Sequence, residues 1–321
     1  MPTLAADEAL TACLGSLANQ NLRDFETIVV DNSGRGLVSA REGIRIISND
    51  RNVGFGAAVN QAIRASQSPF IATLNDDAVA CPGWLEALLR AITERPEIGM
   101  AASQVRMTGG EGLDSAGMLM ARDGSSRQRG HREAPDRFAH REQALLPSAS
   151  AAMYRREMLD DIGLFDECFF LYCEDTDLGL RARWAAWECV YAADAVVEHR
   201  YSHSAGRASA TKAYYVERNR LFVLIKNFPA SMLWTAPFYS LARYFWHWAY
   251  ARKGRGAAAA YLDAAGSPHP LRLVVRAHLE LLRNLPRLWK QRKQIRRRLT
   301  PKQFGALLKQ HSIPCRKVAA L

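Results

Sequence analysis

The chain has 321 residues, 48% hydrophobic and 23% charged, with a formal net charge of +11 and a pI of about 9.6. That composition excludes a chain disordered throughout, and the length allows one large domain or one domain with an appendage. The positive balance points to an anionic partner: phosphates, nucleic acid or acidic lipid. Six cysteines (Cys13, Cys81, Cys168, Cys173, Cys189, Cys315) show no C-x-x-C spacing and no signal-peptide pattern precedes them. They read as reduced thiols, mostly small buried hydrophobes, in a cytosolic protein.

Met1-Pro2-Thr3-Leu4 runs almost at once into a helical pattern with Leu10, Cys13, Leu14 and Leu17 on one face. Phe25 to Val30 reads as a buried strand ending at a turn, Asp31-Asn32-Ser33-Gly34, and Ile44 to Ser48 as a second strand. Asn52 to Gly56 is a glycine-bearing loop that continues as a helix to Ser66; Phe70 to Leu74 is a third strand, ending on Asn75-Asp76-Asp77. Pro82-Gly83-Trp84 opens another helix and Ile98 to Val105 is a fourth strand. Strand and helix alternate, which predicts an α/β, doubly wound, mostly parallel sheet. Such sheets bind ligands at the carboxyl ends of their strands, so Asp31 and Asn75-Asp76-Asp77 are expected to share a cleft.

From Gly109 to Arg141 the periodicity breaks down into a long loop with room for one hairpin. Pro147 to Tyr154 is strand-like, and Arg155 to Glu167 reads as a helix and turn. Then comes the densest stretch, Phe169 to His199: an apolar lead, the acidic cluster Glu174-Asp175-Thr176-Asp177, an amphipathic helix with Leu180, Trp184 and Trp187, and two short β-type runs ending on His199. Acids in the first turn of a helix cap free N–H groups as a matter of course, and a histidine at a strand end often just meets solvent. The same groups also suit a base and a metal ligand, and the residues by themselves leave both readings open.

After His203 the chain changes character. Thr211 to Phe228 is a helix ended by Pro229. Ala230 to Ala251 is apolar and aromatic, just long enough for a single membrane span, but Pro237 and Arg243 near its middle suit an interfacial helix better. From Arg283 to Lys317 there are many Lys and Arg and no acid, which reads either as a solvated tail or as contact with an anionic membrane surface. A nucleic-acid partner is disfavoured, because the aromatics cluster away from the basic run.

Phe25–Gly34 (FETIVVDNSG), Asn52–Ile63 (NVGFGAAVNQAI), Leu74–Asp77 (LNDD), Gly163–Glu167 (GLFDE) and Phe169–His199 together resemble successive motifs of the family 2 glycosyltransferases, nearest the rhamnosyltransferase-like branch that builds bacterial surface polysaccharides. The likeness spans roughly residues 2 to 225. It implies a GT-A fold over residues 1–205 with a helical, aromatic and basic region over 206–321. It further implies a nucleotide-sugar donor, a divalent metal (Mn²⁺ or Mg²⁺) and inversion at the anomeric carbon. By the same resemblance Asp31 contacts the nucleotide base; Asn52, Gly54 and Asn60 lie along the donor; Asn75 and Asp76 stand near its ribose or sugar; Asp77 and His199 hold the metal. Asp175 is then the catalytic base, Glu174 a hydrogen-bond partner of the acceptor, and Asp177 with Arg181 a brace.

One departure stands out. Family members open with a β-strand before a Pro-Thr-type turn, and here Met1-Pro2-Thr3-Leu4 matches the turn alone. The sheet is therefore expected to lack its first strand, as if the chain were shortened. The expected activity is transfer of a sugar, rhamnose favoured, to a lipid-linked surface-glycan acceptor by an enzyme peripheral to the inner face of the cytoplasmic membrane. The alternative is a non-catalytic relic of the fold that binds membrane.

Overall fold

The computed structural model describes residues 1–320 except 111, 201–208 and 264–268. In chain order the elements are β1 (Pro2–Thr3), α1 (Glu8–Ala18), β2 (Thr27–Asp31), β3 (Ile44–Ser48), α2 (Phe55–Ala65), β4 (Phe70–Leu74), β5 (Ala78–Ala80), α3 (Trp84–Thr93), β6 (Ile98–Met107), β7 (Leu113–Ser115), β8 (Met118–Met120), β9 (Ser126–Gln128), β10 (Glu142–Ala144), β11 (Ala151–Arg155), α4 (Arg156–Ile162), α5 (Glu174–Trp184) and β12 (Glu188–His199). Helices α6 (Ala210–Asn227), α7 (Ala230–Leu233), α8 (Ala236–Ala251), α9 (Gly256–Asp263), α10 (Pro270–Gln294), α11 (Pro301–Gln310) and α12 (Cys315–Ala320) follow. Contacts divide the chain into two units, Met1–Met118 with Gln128–Tyr201 and Leu119–Arg127 with Ser202–Leu321. The boundary expected at residue 205 falls outside the described residues.

The first unit carries the GT-A α/β architecture. Strands β1, β2 and β3 run parallel. A mixed sheet in the order β10-β12-β6-β11-β4 pairs β6 and β12 in parallel and inserts β11 antiparallel between β6 and β4. The opening strand is present as Pro2–Thr3 alone, beside Val30 and Asp31, while β3 pairs all five residues of β2. The Met1 amine donates to the Ile28 carbonyl at 2.8 Å, and burial pulls its pKa down to about 6.

Two apolar layers sandwich the mixed sheet. One gathers Trp84, Leu88 and Ile92 of α3 over Val105, Met153 and Val197; the other gathers Val59 and Ile63 of α2 with Tyr154, Phe165 and Leu178. Helix α5 is not amphipathic. Its residues from Thr176 to Trp184 are all buried, Arg181 and Arg183 included, because the helix lies inside the second layer. The two β-type runs before His199 form one strand, β12, whose register against β6 slips between Ala192 and Val196. The Gly109–Arg141 stretch contains β7 and the β8–β9 hairpin rather than one hairpin alone.

In the second unit, α10 packs on α6 and α12 on α8. Its interior is ionic. Arg220 and Arg243 converge on Glu217 with bonds of 2.5 and 2.6 Å, and Arg243 Nε also meets Asp123 Oδ2 at 2.6 Å. All four side chains are buried. The single span is corrected: among the described residues no helix is long and apolar enough to cross a membrane. The Ala230–Ala251 run is broken between α7 and α8, with Pro237 in the first turn of α8. The 16 residues of α8 reach roughly 24 Å at 1.5 Å each, short of a hydrocarbon core of about 30 Å.

Candidate active site

Sheet register assembles the first cluster. His199 ends β12, and its Cα partner on β5 is Ala78, directly after Asp77. The two side chains meet, His199 Nε2 to Asp77 Oδ1 at 3.1 Å, both buried. The other ring nitrogen, Nδ1, bonds Asp114 Oδ2 at 2.9 Å from β7. Burial alone would lower the His199 pKa; the two carboxylates outweigh it and hold it at about 10. Burial would likewise raise Asp114, but hydrogen bonds from His131 and His199 bring it to about 2. Asn75 Nδ2 lies 3.3 Å from His199 Nε2.

Asp175 sits in the first turn of α5, half-buried. Its Oδ1 accepts from Thr176 N–H at 2.6 Å and its Oδ2 from Ala149 N–H at 3.2 Å. Burial raises its pKa, partly offset by those two donors. Ala149 belongs to the short segment before β11, and the next carbonyl, Ser150, accepts from the backbone N–H of Asn75 at 2.8 Å. One peptide link therefore separates the anchor of Asp175 from the turn that carries Asn75, Asp76 and Asp77. Asp175, Asp77 and His199 are brought together on one connected frame.

The backbone before Asp175 is strained. Phe170, Tyr172 and Cys173 all have φ between 64° and 67°, a region that costs a non-glycine residue of order 1–3 kcal/mol. The loop is clamped from two sides. Arg181 bonds the Ile162, Gly163 and Leu164 carbonyls and pairs with Asp177 at 2.8 Å. Asn60 takes Phe165 N–H on its carbonyl oxygen and gives its amide to the Phe165 carbonyl and Glu167 Oε1.

Asn60 is buried and bonded to the Phe165–Glu167 turn. Glu174 is buried, and its Oε2 has no hydrogen-bond partner. Gly54, at φ 90°, admits a close backbone approach, but by this chain's own loop: a Cβ there would stand 2.5 Å from the Phe170 carbonyl oxygen. That carbonyl accepts from Phe55 N–H at 2.8 Å and so caps α2.

The remaining expected residues line the strand ends. Asp31 is buried and caps its own turn: Oδ1 accepts from Ser33 N–H and Oγ, Oδ2 from Val38 N–H. Burial would raise its pKa, and these donors reverse the shift and lower it. Asn52 is exposed, its side-chain oxygen accepting from Asn32 Nδ2 and Gly54 N–H at 2.9 Å each. Asp76 is half-buried, its Oδ2 2.6 Å from Thr3 Oγ1, and burial raises its pKa. Asp114, Ala149 and Ser150 were not singled out in the sequence. Asp114 carried one signal, an acid inside an otherwise aperiodic stretch.

Asp77 and His199 fit a divalent cation: one carboxylate oxygen and one imidazole nitrogen converge, and the second ring nitrogen is fixed by a carboxylate, the arrangement usual behind a metal-bound histidine. Among the described residues no third carboxylate, cysteine or histidine completes a three-residue cluster.

Comparison with known proteins agrees with this construction. The profile of Glycosyl transferase family 2 matches residues 1–163 of the 321. An N-acetylglucosaminyl-diphospho-decaprenol L-rhamnosyltransferase of Mycobacterium tuberculosis is 29% identical over 226 residues, 62% of this chain and 74% of the relative. A pre-mycofactocin glycosyltransferase of the same organism is 30% identical over 201 residues, 61% of this chain and 42% of that protein. The crystal structure of GalNAc-T7 with UDP, GalNAc and Mn²⁺ superposes with a TM-score of 0.56 at 12% identity, over 73% of this chain and 48% of that one, a likeness of fold. On the profile match and the GT-A architecture, this chain belongs to glycosyl transferase family 2 and is a glycosyltransferase.

Proposed function

We propose that the protein is an inverting, metal-dependent glycosyltransferase that moves a sugar from a nucleotide diphosphate donor to a hydroxyl of a lipid-linked surface-glycan acceptor. Rhamnose is the favoured sugar, on the likeness to the mycobacterial rhamnosyltransferase. The observation that carries the chemistry is the frame joining Asp175 through Ala149 and Ser150 to the Asn75–Asp77 turn and His199.

Asp175 is the base. Its carboxylate takes the proton of the acceptor hydroxyl as that oxygen bonds the anomeric carbon. The bond from that carbon to the diphosphate breaks on the opposite face, and its electron pair leaves with the diphosphate. Burial makes Asp175 more basic than a surface aspartate, while Thr176 and Ala149 hold both oxygens in place. Asp77 Oδ1 and His199 Nε2 are the atoms that would hold Mn²⁺ or Mg²⁺, whose chemistry is to neutralise charge gathering on the departing diphosphate. Asp76 and Asn75 face the donor from the same turn. Asp31 and Asn52 shape the loops around the nucleoside, and Gly54 and Asn60 support those loops from behind.

The second unit is proposed to hold the enzyme against the inner face of the cytoplasmic membrane, where a lipid-linked acceptor would be met. Trp234 (84%), which caps α7, and Phe238 (72%), Leu241, Phe245 and Trp248 of α8 are exposed. Helix α10 exposes Leu271, Val275, Leu279, Leu282 and Trp289, with Arg272, Arg276, Arg283 and Lys290 flanking them, the pattern of a helix lying in a lipid interface. No acid follows Glu280.

The test is Asp175→Asn with dTDP-rhamnose and other nucleotide sugars. Transfer should fall by about 10²–10⁴-fold while Mn²⁺-dependent donor binding, read by thermal shift, survives. Wild-type turnover by the variant would remove Asp175 as base. Donor binding without turnover by the wild type would favour the non-catalytic alternative.

A further inference from the structure

Glu174 precedes the base, yet the sheet side of α5 swallows it. Its stem packs on α2, where a Cβ placed on Gly56 would stand 3.7 Å from Glu174 Cβ and Cγ and 3.1 Å from Phe165 Cβ. Phe165 stacks edge-on against Tyr154 of β11, with ring centroids 5.9 Å apart. Glu174 Oε2, buried in this layer, has no hydrogen-bond partner, while the Tyr154 hydroxyl and Thr73 Oγ1 lie against each other. Glu174 faces Gly56 of α2, which carries no charge, and lies near the Tyr154 hydroxyl; the charged group that bears on it is Asp175, of the same sign. The Glu174 backbone N–H is the one donor that favours the ionised form, and an ionised carboxylate so thinly compensated, beside a second carboxylate, is costly in a protein interior.

We propose that Glu174 is a positioning residue that stays protonated through the reaction, anchoring the first turn of α5 and leaving a single negative charge on the Glu174–Asp175 pair, located on Asp175. This rests on Asp175 being the base. The protonated carboxyl carries no charge to be compensated in this apolar layer. It also spares Asp175 a like-charged neighbour that would hold its proton on. The raised pKa of Glu174, about 8 through burial and then Asp175, agrees with the geometry.

The test compares wild type with Glu174→Gln, whose side chain has the shape of the neutral acid. In the infrared difference spectrum at pH 7, the wild type should show the C=O stretch of a protonated carboxyl that E174Q lacks. No such band overturns the proposal, and this readout needs no turnover. The second readout is the pH profile of Mn²⁺-dependent dTDP-rhamnose hydrolysis, with water as acceptor. If Glu174 is already neutral, E174Q leaves the acid limb set by Asp175 within about 0.3 pH unit of wild type. If Glu174 were ionised, removing its charge would move that limb down by about one unit or more, which overturns the proposal. An Asp175→Asn variant that hydrolyses normally while the infrared band persists would sink the base assignment and leave the protonation of Glu174 standing.

Discussion

His199 and Asp114 bond at 2.9 Å although 85 residues separate them. The contact fixes which ring nitrogen faces Asp77, and it sets the first expectation. Asp114→Asn should weaken Mn²⁺ binding by roughly 10–100-fold and also lower the melting temperature without metal, because buried His199 loses one of the two carboxylates that hold its proton. Mn²⁺ titration followed by electron paramagnetic resonance checks it; unchanged affinity would mean that the ring is oriented by other means.

A second prediction concerns Gly54. Alanine there must accept φ near 90° and move the Phe170 carbonyl by the better part of a bond length. Gly54→Ala should cost about 2 kcal/mol or more and loosen the 170–173 loop. Urea unfolding gives the first number, and the rate of proteolysis within the loop reports the second.

The third concerns acid stability. Burial would raise the Glu217 pKa, but Arg243 and Arg220 outweigh it and hold the carboxyl below the usual carboxylate range. A depressed folded-state value contributes stability that is present above the unfolded value of about 4.3 and is lost as pH falls through the folded one. Helical signal from the second unit should therefore decline as pH drops below about 4. Glu217→Gln leaves two buried guanidinium groups against Asp123 and should cost roughly 3–5 kcal/mol at neutral pH. Circular dichroism against pH for both proteins tests the sign and the size.

The fourth addresses the exposed apolar faces. Replacing Trp234, Phe238 and Trp248 together with Ser should reduce co-sedimentation with vesicles containing phosphatidylglycerol by about tenfold or more. Raised salt should weaken wild-type binding to the same vesicles, because the basic tail contributes through screened charge. Equal pelleting of wild type and variant would remove the membrane from the proposal.

Much of this fold was readable in the residues. The alternation from Phe25 to Val105 announced an α/β sheet, and the acids expected at strand ends fall at the end of β2 and directly after β4. Local pattern was a poorer guide to direction. A first-turn acid can point outward or inward, and Glu174 points inward, its stem beside Gly56 of α2. Asn60 stands at a motif position that the resemblance put along a donor, yet its partners are Phe165 and Glu167, 105 and 107 residues away. Asp114 lay in an aperiodic stretch whose fold depends on pairing with β6, a long-range contact that no local spacing reports. Helix α5 read as amphipathic because Arg181 and Arg183 look like surface residues until their carbonyl partners are known.

The segment from Ala149 to Ser150 bonds both Asp175, the proposed proton acceptor, and the Asn75–Asp77 turn, the proposed cation turn. The span between the two half-sites is thus written in main-chain pairing of β4 with β11, not in side-chain rotamers. On the proposed roles, side chains around the two half-sites can be exchanged without altering the spacing that this pairing sets.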